Sequence, residues 1–268
     1  MQVNEWFLKV VGKVKAAQLN NWNLGLAFLF AIQGVILLIL SNAYSLPVTT
    51  SYLTADPLVS QTTGHTVLVT ATQHFFDVNL IYLVAAFMFM AAVVHLLVAT
   101  TYRVKYEADI TNGINHARWF EYAFSTSIMI VIIGMLVGIS DFSSLLMLFG
   151  LTVAMNLVGL TVELSQRGKR DKNRLALIIS SLTGFLPWLV IAIYIASNRI
   201  NGSSMPVYIY WLAGSMFILF LCFFANLLLQ RQRKGKWADY LFGERIFMVL
   251  SVLAKTALAW QLFAGALH

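Results

Sequence analysis

Seven runs of about twenty apolar residues dominate this sequence: 22–43, 76–100, 117–139, 143–165, 174–197, 207–230 and 246–267. Runs this long and continuous satisfy their backbone groups in hydrocarbon as helices. The chain is therefore expected to be an all-α membrane protein, a seven-transmembrane-helix bundle, multi-pass in the cell membrane. Composition agrees: 59% of residues are hydrophobic and 11% charged, where ordinary soluble domains carry roughly 25% charged. The one cysteine, Cys222, lies inside an apolar run, which excludes a disulfide framework, a redox motif and a thiolate metal site.

Charge placement orients the bundle. Residues 1–21 carry Lys9, Lys13 and Lys15 on an amphipathic stretch with no small-residue cleavage pattern behind it. They read as an inner-surface helix leading into a signal anchor. With those lysines go Arg103, Lys105 and Arg118 between spans two and three, and Arg167, Lys169, Arg170, Lys172 and Arg174 between spans four and five. Arg231, Arg233, Lys234, Lys236 and Arg245 lie between spans six and seven. Sixteen of the 18 basic residues thus share one side, and the other side has Arg199. The positive-inside rule puts the N-terminus inside and the C-terminus outside. The same loops account for the +7 net charge and imply contact with anionic lipid head groups. No soluble basic domain is present to engage nucleic acid.

The loop over residues 44–75 contains no Lys or Arg and is rich in Thr and Val on either side of Asp56-Pro57. Its segments 46–53 and 66–73 have the β-branched enrichment of strands, with turn residues between them. They predict an external β-hairpin between helices one and two. No internal repeat or linker divides the chain, so residues 1–268 read as one domain.

Ionisable groups inside a bilayer are expensive and default to functional candidates. Lys255 sits near the centre of the seventh span, where a charged lysine costs roughly 2.5–3.5 kcal/mol on insertion scales. It must pair, lose its proton or be modified. One reading is a Lys–carboxylate pair stitching two helices together. The other is a lysine that forms a Schiff base with a carbonyl ligand. Ser251, four residues earlier, shares its face one turn inward. Glu121, in the inner half of the third span, is the carboxylate available as counterion to a charged imine, although it reads as lying nearer the inner edge than Lys255. Ser125, four residues past it, joins the cofactor-binding candidates. His95 lies in the inner half of the second span, while Asp77, Asp141 and Glu163 read as span-edge residues solvated by water or head groups. Large side chains in the spans, among them Met155, Pro187, Trp188, Trp211, Phe220 and Trp260, are ordinary membrane packing one by one. With Gly159 and Gly184 they could together line a slot for a rigid polyene.

Two stretches carry a resemblance. The seventh span reads GERIFMVLSVLAKTALAWQLFAG from Gly243 to Gly265, after Lys234-Gly235-Lys236-Trp237, and the third reads RWFEYAFSTSIMIV from Arg118 to Val131. Both resemble the heliorhodopsins, microbial-type retinal proteins with inverted topology, and the resemblance runs over the whole chain. It implies all-trans retinal bound covalently to Lys255 as a protonated Schiff base, Glu121 as counterion and Ser251 as its hydrogen-bonding neighbour. It also implies a pocket that includes Met155, Gly159, Phe220 and Trp260, and an inner polar cavity with His95 that takes up the proton after illumination. Members often add a histidine in the first span; here 22–43 has none, and Phe30 stands in its place. A homodimer, membrane lipids and an intracellular signalling partner are the expected associates.

The function expected is light sensing by isomerisation and a conformational signal, without ion pumping and without enzymatic turnover. The alternative is a light-driven proton pump or channel, which needs carboxylates on both sides of the Schiff base. The third span has Ser125, Thr126 and Ser127 where a second acid would stand. An enzyme acting on a lipid aldehyde lacks a second acid–base group near Lys255, and a transporter lacks paired broken helices.

Overall fold

The computed structural model describes residues 2–165 and 174–267, with side chains from Leu19 onward. The side chains of Lys9, Lys13 and Lys15, and the loop charges Arg167, Lys169, Arg170 and Lys172, lie outside the described residues. Helix α1 is Gln2–Leu40, strand β1 Ser45–Ala55, helix α2 Pro57–Thr63 and strand β2 Leu68–Asn79. Helices α3 (Leu80–Ala99), α4 (Arg103–Thr111), α5 (His116–Leu136), α6 (Phe142–Leu164), α7 (Arg174–Ile200), α8 (Val207–Gln232) and α9 (Tyr240–Leu262) follow. A 3₁₀ turn at Gly235–Ala238 leads into α9, which ends in a π turn at Phe263–Leu267.

Seven of these helices are long and apolar enough to cross a membrane: Leu19–Leu40, then α3, α5, α6, α7, α8 and Tyr240–Leu267. The 22 residues of the first span rise about 33 Å, enough for the hydrocarbon core. Two boundaries differ most from hydropathy. The second span begins at Leu80 rather than 76, because residues up to Asn79 continue β2. The seventh begins at Tyr240 rather than 246: Asp239 caps the helix by accepting from Leu241 N at 3.1 Å, and Glu244 turns inward instead of ending the span.

Asn or Asp also caps α3, α5 and α6 through Asn79, Asn115 and Asp141, each accepting from an orphan N–H of the first turn. Helix α5 is the most buried span and packs against α3 and α6, while α1 packs on α3 and α8 on α9.

The hairpin is present. β1 and β2 pair antiparallel from Ser45↔Asn79 to Ala55↔Leu68, with an irregularity between Val48 and Thr49. The expected turn is instead a short helix, α2, where Asp56 Oδ1 accepts from Leu58 N and Val59 N and Pro57 supplies the fixed φ of a first helical residue. Gly64 closes it at φ 72°. The irregular point seats the hairpin on the start of α6: Thr49 N donates to Ser140 O at 2.9 Å, and their hydroxyls lie 3.1 Å apart. This is the hairpin end of the bundle. The opposite end carries Arg103, Lys105, Lys234 and Lys236 and is called here the basic end.

Candidate functional site

A long side chain on a helix leans toward the helix N-terminus, so Lys255 runs back along α9 toward the basic end. Its Nζ donates to Ser251 Oγ at 2.6 Å and to Glu121 Oε2 at 3.3 Å. Glu121 Oε1 lies 3.2 Å from the same nitrogen at an angle that leaves it without a hydrogen-bond partner. Lysine and carboxylate are 2% and 4% exposed, so the charges are shielded from solvent and depend on each other. The depth mismatch expected between them disappears because α9 starts early and the lysine reaches backward. Aromatic faces complete the surroundings, the Tyr122 ring 5.0 Å and the Phe30 ring 5.6 Å from Nζ.

Two cavities flank this pair. The larger, about 150 Å³, is almost wholly apolar and lies between α5, α6, α7, α8 and α9. Met155, Gly184, Trp188 and Phe220 form part of its wall, and Ala254 places it beside Lys255. Rings of Trp188 and Phe217 pack at 5.3 Å between centroids, and those of Phe185 and Phe220 at 5.2 Å. Gly184 keeps the slot open, since a Cβ there would stand 2.5 Å from Met155 Sδ and 3.3 Å from Phe220 Cζ. The smaller cavity, about 30 Å³, is the more polar of the two. His95, Asn23, Glu121, Ser251, Tyr106 and Glu244 are among its walls. His95 Nδ1 donates to Asn23 Oδ1 at 2.8 Å, and its ring stacks on Phe30. Tyr122 lines both cavities.

Toward the basic end lies a buried cluster that hydropathy missed. Arg118 bonds Glu163 Oε1 through Nη2 at 2.8 Å and Glu244 Oε1 through Nη1. Glu163 also accepts from Trp119 Nε1 at 2.5 Å, Tyr240 Oη at 2.8 Å and Asn115 N at 3.3 Å. Glu244 accepts from Asn115 Nδ2 at 2.8 Å and Gln230 Nε2 at 3.2 Å. The α5 cap residue Asn115 therefore joins both carboxylates to the positive end of α5. Glu163 is 3% exposed, which corrects its reading as a solvated span-edge residue: the guanidinium of Arg118 draws it inward. Arg118 and Arg231, counted among loop charges, are each 7% exposed.

The structure brings Glu121, Ser251 and His95 together around the polar cavity, with Lys255 bonded to the first two, and Met155 and Phe220 around the apolar one. Ser125 is fully buried, its Oγ without a partner. Gly159 lies outside the apolar cavity's lining; its missing side chain is filled by the Trp119 indole. Trp260 also lies outside it, donating to Gln33 Oε1 at 3.0 Å and packing on Phe263. Trp211 is 74% exposed on the outer surface. Glu244 was missed because it precedes the seventh apolar run; the Asp239 cap signal ahead of it could have extended that helix.

The heliorhodopsin family model matches residues 19–267 of the chain. Three solved structures share the fold. The light-driven proton pump rhodopsin CsR of Coccomyxa subellipsoidea is 16% identical, with 93% of this chain and 96% of that one covered at a TM-score of 0.61. Thermophilic rhodopsin of Rubrobacter xylanophilus is 13% identical, with coverages of 93% and 95% and a TM-score of 0.60. The light-driven proton pump LR (Mac) of Leptosphaeria maculans is 14% identical, with coverages of 94% and 96% and a TM-score of 0.61. No curated protein matches the chain.

Proposed function

This chain belongs to the heliorhodopsin family, and from that premise we propose that it is a light sensor in which Lys255 Nζ holds all-trans retinal covalently. Membership makes it a retinal-type photoreceptor, and its seven spans make it a multi-pass membrane protein. The family is generally non-enzymatic. The observation that carries the finer reading is Lys255, buried against one carboxylate and one hydroxyl beside an apolar slot. The orphaned Glu121 Oε1 and the slot that a Cβ at Gly184 would invade fit a charged nitrogen with a flat polyene behind it. When bound, retinal supplies light absorption and a change of polyene shape.

The chain's own residues do the rest. Glu121 keeps a negative charge where a protonated nitrogen in a low-dielectric site requires one. Ser251 holds that nitrogen at the basic side of the slot. Met155, Trp188 and Phe220 confine the polyene and exclude water, and the polar cavity at His95 offers the nitrogen's proton somewhere to go. A charge change there biases the packing of α4, α5 and α9, and the basic end reports it to a partner. Sensing rather than pumping is favoured by where the acids stand. Among the described residues the buried carboxylates are Glu121, Glu163 and Glu244, all at or on the basic side of Lys255. Asp77 and Asp141 at the hairpin end are committed to His74 and to the α6 cap. A pump relays protons past both sides.

The test is the visible absorption spectrum of protein expressed with all-trans retinal, beside Lys255→Ala and Glu121→Gln. Wild type is expected to form a visible band, Lys255→Ala to lack it and Glu121→Gln to shift it. A band that survives in Lys255→Ala overturns the linkage. Vesicles carrying the wild-type pigment are expected to show no light-driven pH change; a sustained change would replace sensing with pumping.

A further inference from the structure

Retinal attachment at Lys255 leaves the destination of its proton open, and the buried cluster beyond the polar cavity answers it. Arg118 carries one positive charge against two carboxylates, Glu163 and Glu244. All three are buried, at 7%, 3% and 1% exposure. With both carboxylates ionised the cluster carries one negative charge in excess, and an uncompensated buried charge is costly. Taking up one proton neutralises it.

The hydrogen bonds choose the atom. Both Glu163 oxygens accept two donors each, and Glu244 Oε1 accepts two, from Arg118 and Gln230. Glu244 Oε2 accepts one, from Asn115 Nδ2 at 2.8 Å, so it has a lone pair left for a proton. Glu244 also lines the same polar cavity as Glu121 and Ser251, the two residues bonded to Lys255 Nζ. That cavity, at about 30 Å³, has room for about two waters, enough to link the two carboxylates. Its lining also includes His95 from α3, Tyr106 from α4, Asn23 from α1, and Asn115, Arg118 and Tyr122 at the start of α5. His95 has its Nδ1 engaged by Asn23 and one ring face covered by Phe30. Glu121 is the nearest base, but a proton stored there returns to the adjacent nitrogen by one hop.

We propose that Glu244 Oε2 stores the proton that the Lys255 nitrogen gives up on illumination. The N–H bond breaks with its electron pair left on nitrogen. The proton passes along the polar cavity, and an O–H bond forms at Oε2 while Asn115 Nδ2 keeps donating to the second lone pair. The proposal rests on retinal being bound at Lys255. It makes Glu244 the acceptor in a chain whose first span has no histidine, and it connects the chromophore to the α5 cap residue Asn115 and, through Arg118, to Glu163 at the end of α6.

Light-minus-dark infrared difference spectra of the retinal-loaded protein test this. Wild type is expected to gain a carboxylic C=O stretch as the visible band bleaches. Glu244→Gln is expected to lose it and Glu244→Asp to shift it. A stretch unchanged in Glu244→Gln overturns the proposal. So does a carboxylic stretch that is present in the dark at neutral pH and absent from Glu244→Gln, because the site is then already filled. The retinal-free protein gives a second readout, an infrared pH titration in which Glu244→Gln is expected to take up one proton fewer on acidification. An unchanged titration overturns the proposal there too. If wild type forms no visible pigment, the retinal reading fails and this proposal with it, while the titration separately reports whether Glu244 takes up a proton.

Discussion

Two glycines illustrate how much a single missing side chain carries here. At Gly159 a Cβ would meet the six-membered ring of the Trp119 indole, which is rigid and held by its bond to Glu163. Overpacking of this kind costs about 1–3 kcal/mol, so Gly159→Ala is expected to lower the melting temperature of the protein. At Gly184 the nearest atom is the sulfur of Met155, a flexible side chain able to swing into the cavity. Gly184→Ala is expected to leave thermal stability within about 1 kcal/mol of wild type while shifting the visible band, because the slot narrows. Equal melting losses in both variants would show that the slot is not adaptable. Both glycines were singled out in the sequence as room beside a polyene. Gly184 lines the apolar cavity, whereas the space at Gly159 belongs to Trp119, a partner on another helix that spacing does not reveal.

Among the described elements, α4 is the one short helix that touches the polar cavity, through Tyr106. Tyr106 and Ile110 are buried, and His116 Nδ1 bonds Asp109 Oδ2 at 3.0 Å to tie α4 to α5. Burial pushes the Tyr106 phenol up to about 12. The fold prefers the neutral phenol, so this stability is complete below the ordinary value of about 10 and is lost as pH rises through about 12. Wild type is expected to lose thermal stability across that window more steeply than Tyr106→Phe. Parallel losses would show that α4 does not depend on the neutral phenol. The hairpin was legible from β-branched residues, but the helix at its turn was not, because Asp56-Pro57 starts a turn and a capped helix equally well.

At the scale of the whole molecule, the charge pattern predicts that the basic end faces the cytoplasm. In intact cells carrying Cys222→Ser, a membrane-impermeant thiol reagent is expected to label Ser51→Cys in the hairpin and to spare Val104→Cys in α4. The reverse labelling would invert the proposed orientation. The seven spans, the mid-span lysine and the lopsided basic loops were all legible in the residues, because hydropathy and charge are local properties that a bilayer reads along the chain. The partners of Arg118 were not legible. Glu244 and Arg245 are neighbours in sequence, yet the acid is buried at 1% exposure and the arginine is partly exposed. Which charge turns inward depends on the rotation and depth of each helix, and those are set by contacts across the bundle. Packing of α5 against α3 and α6, and the caps at Asn115 and Asp239, put Glu121, Glu163 and Glu244 where their cations could reach them.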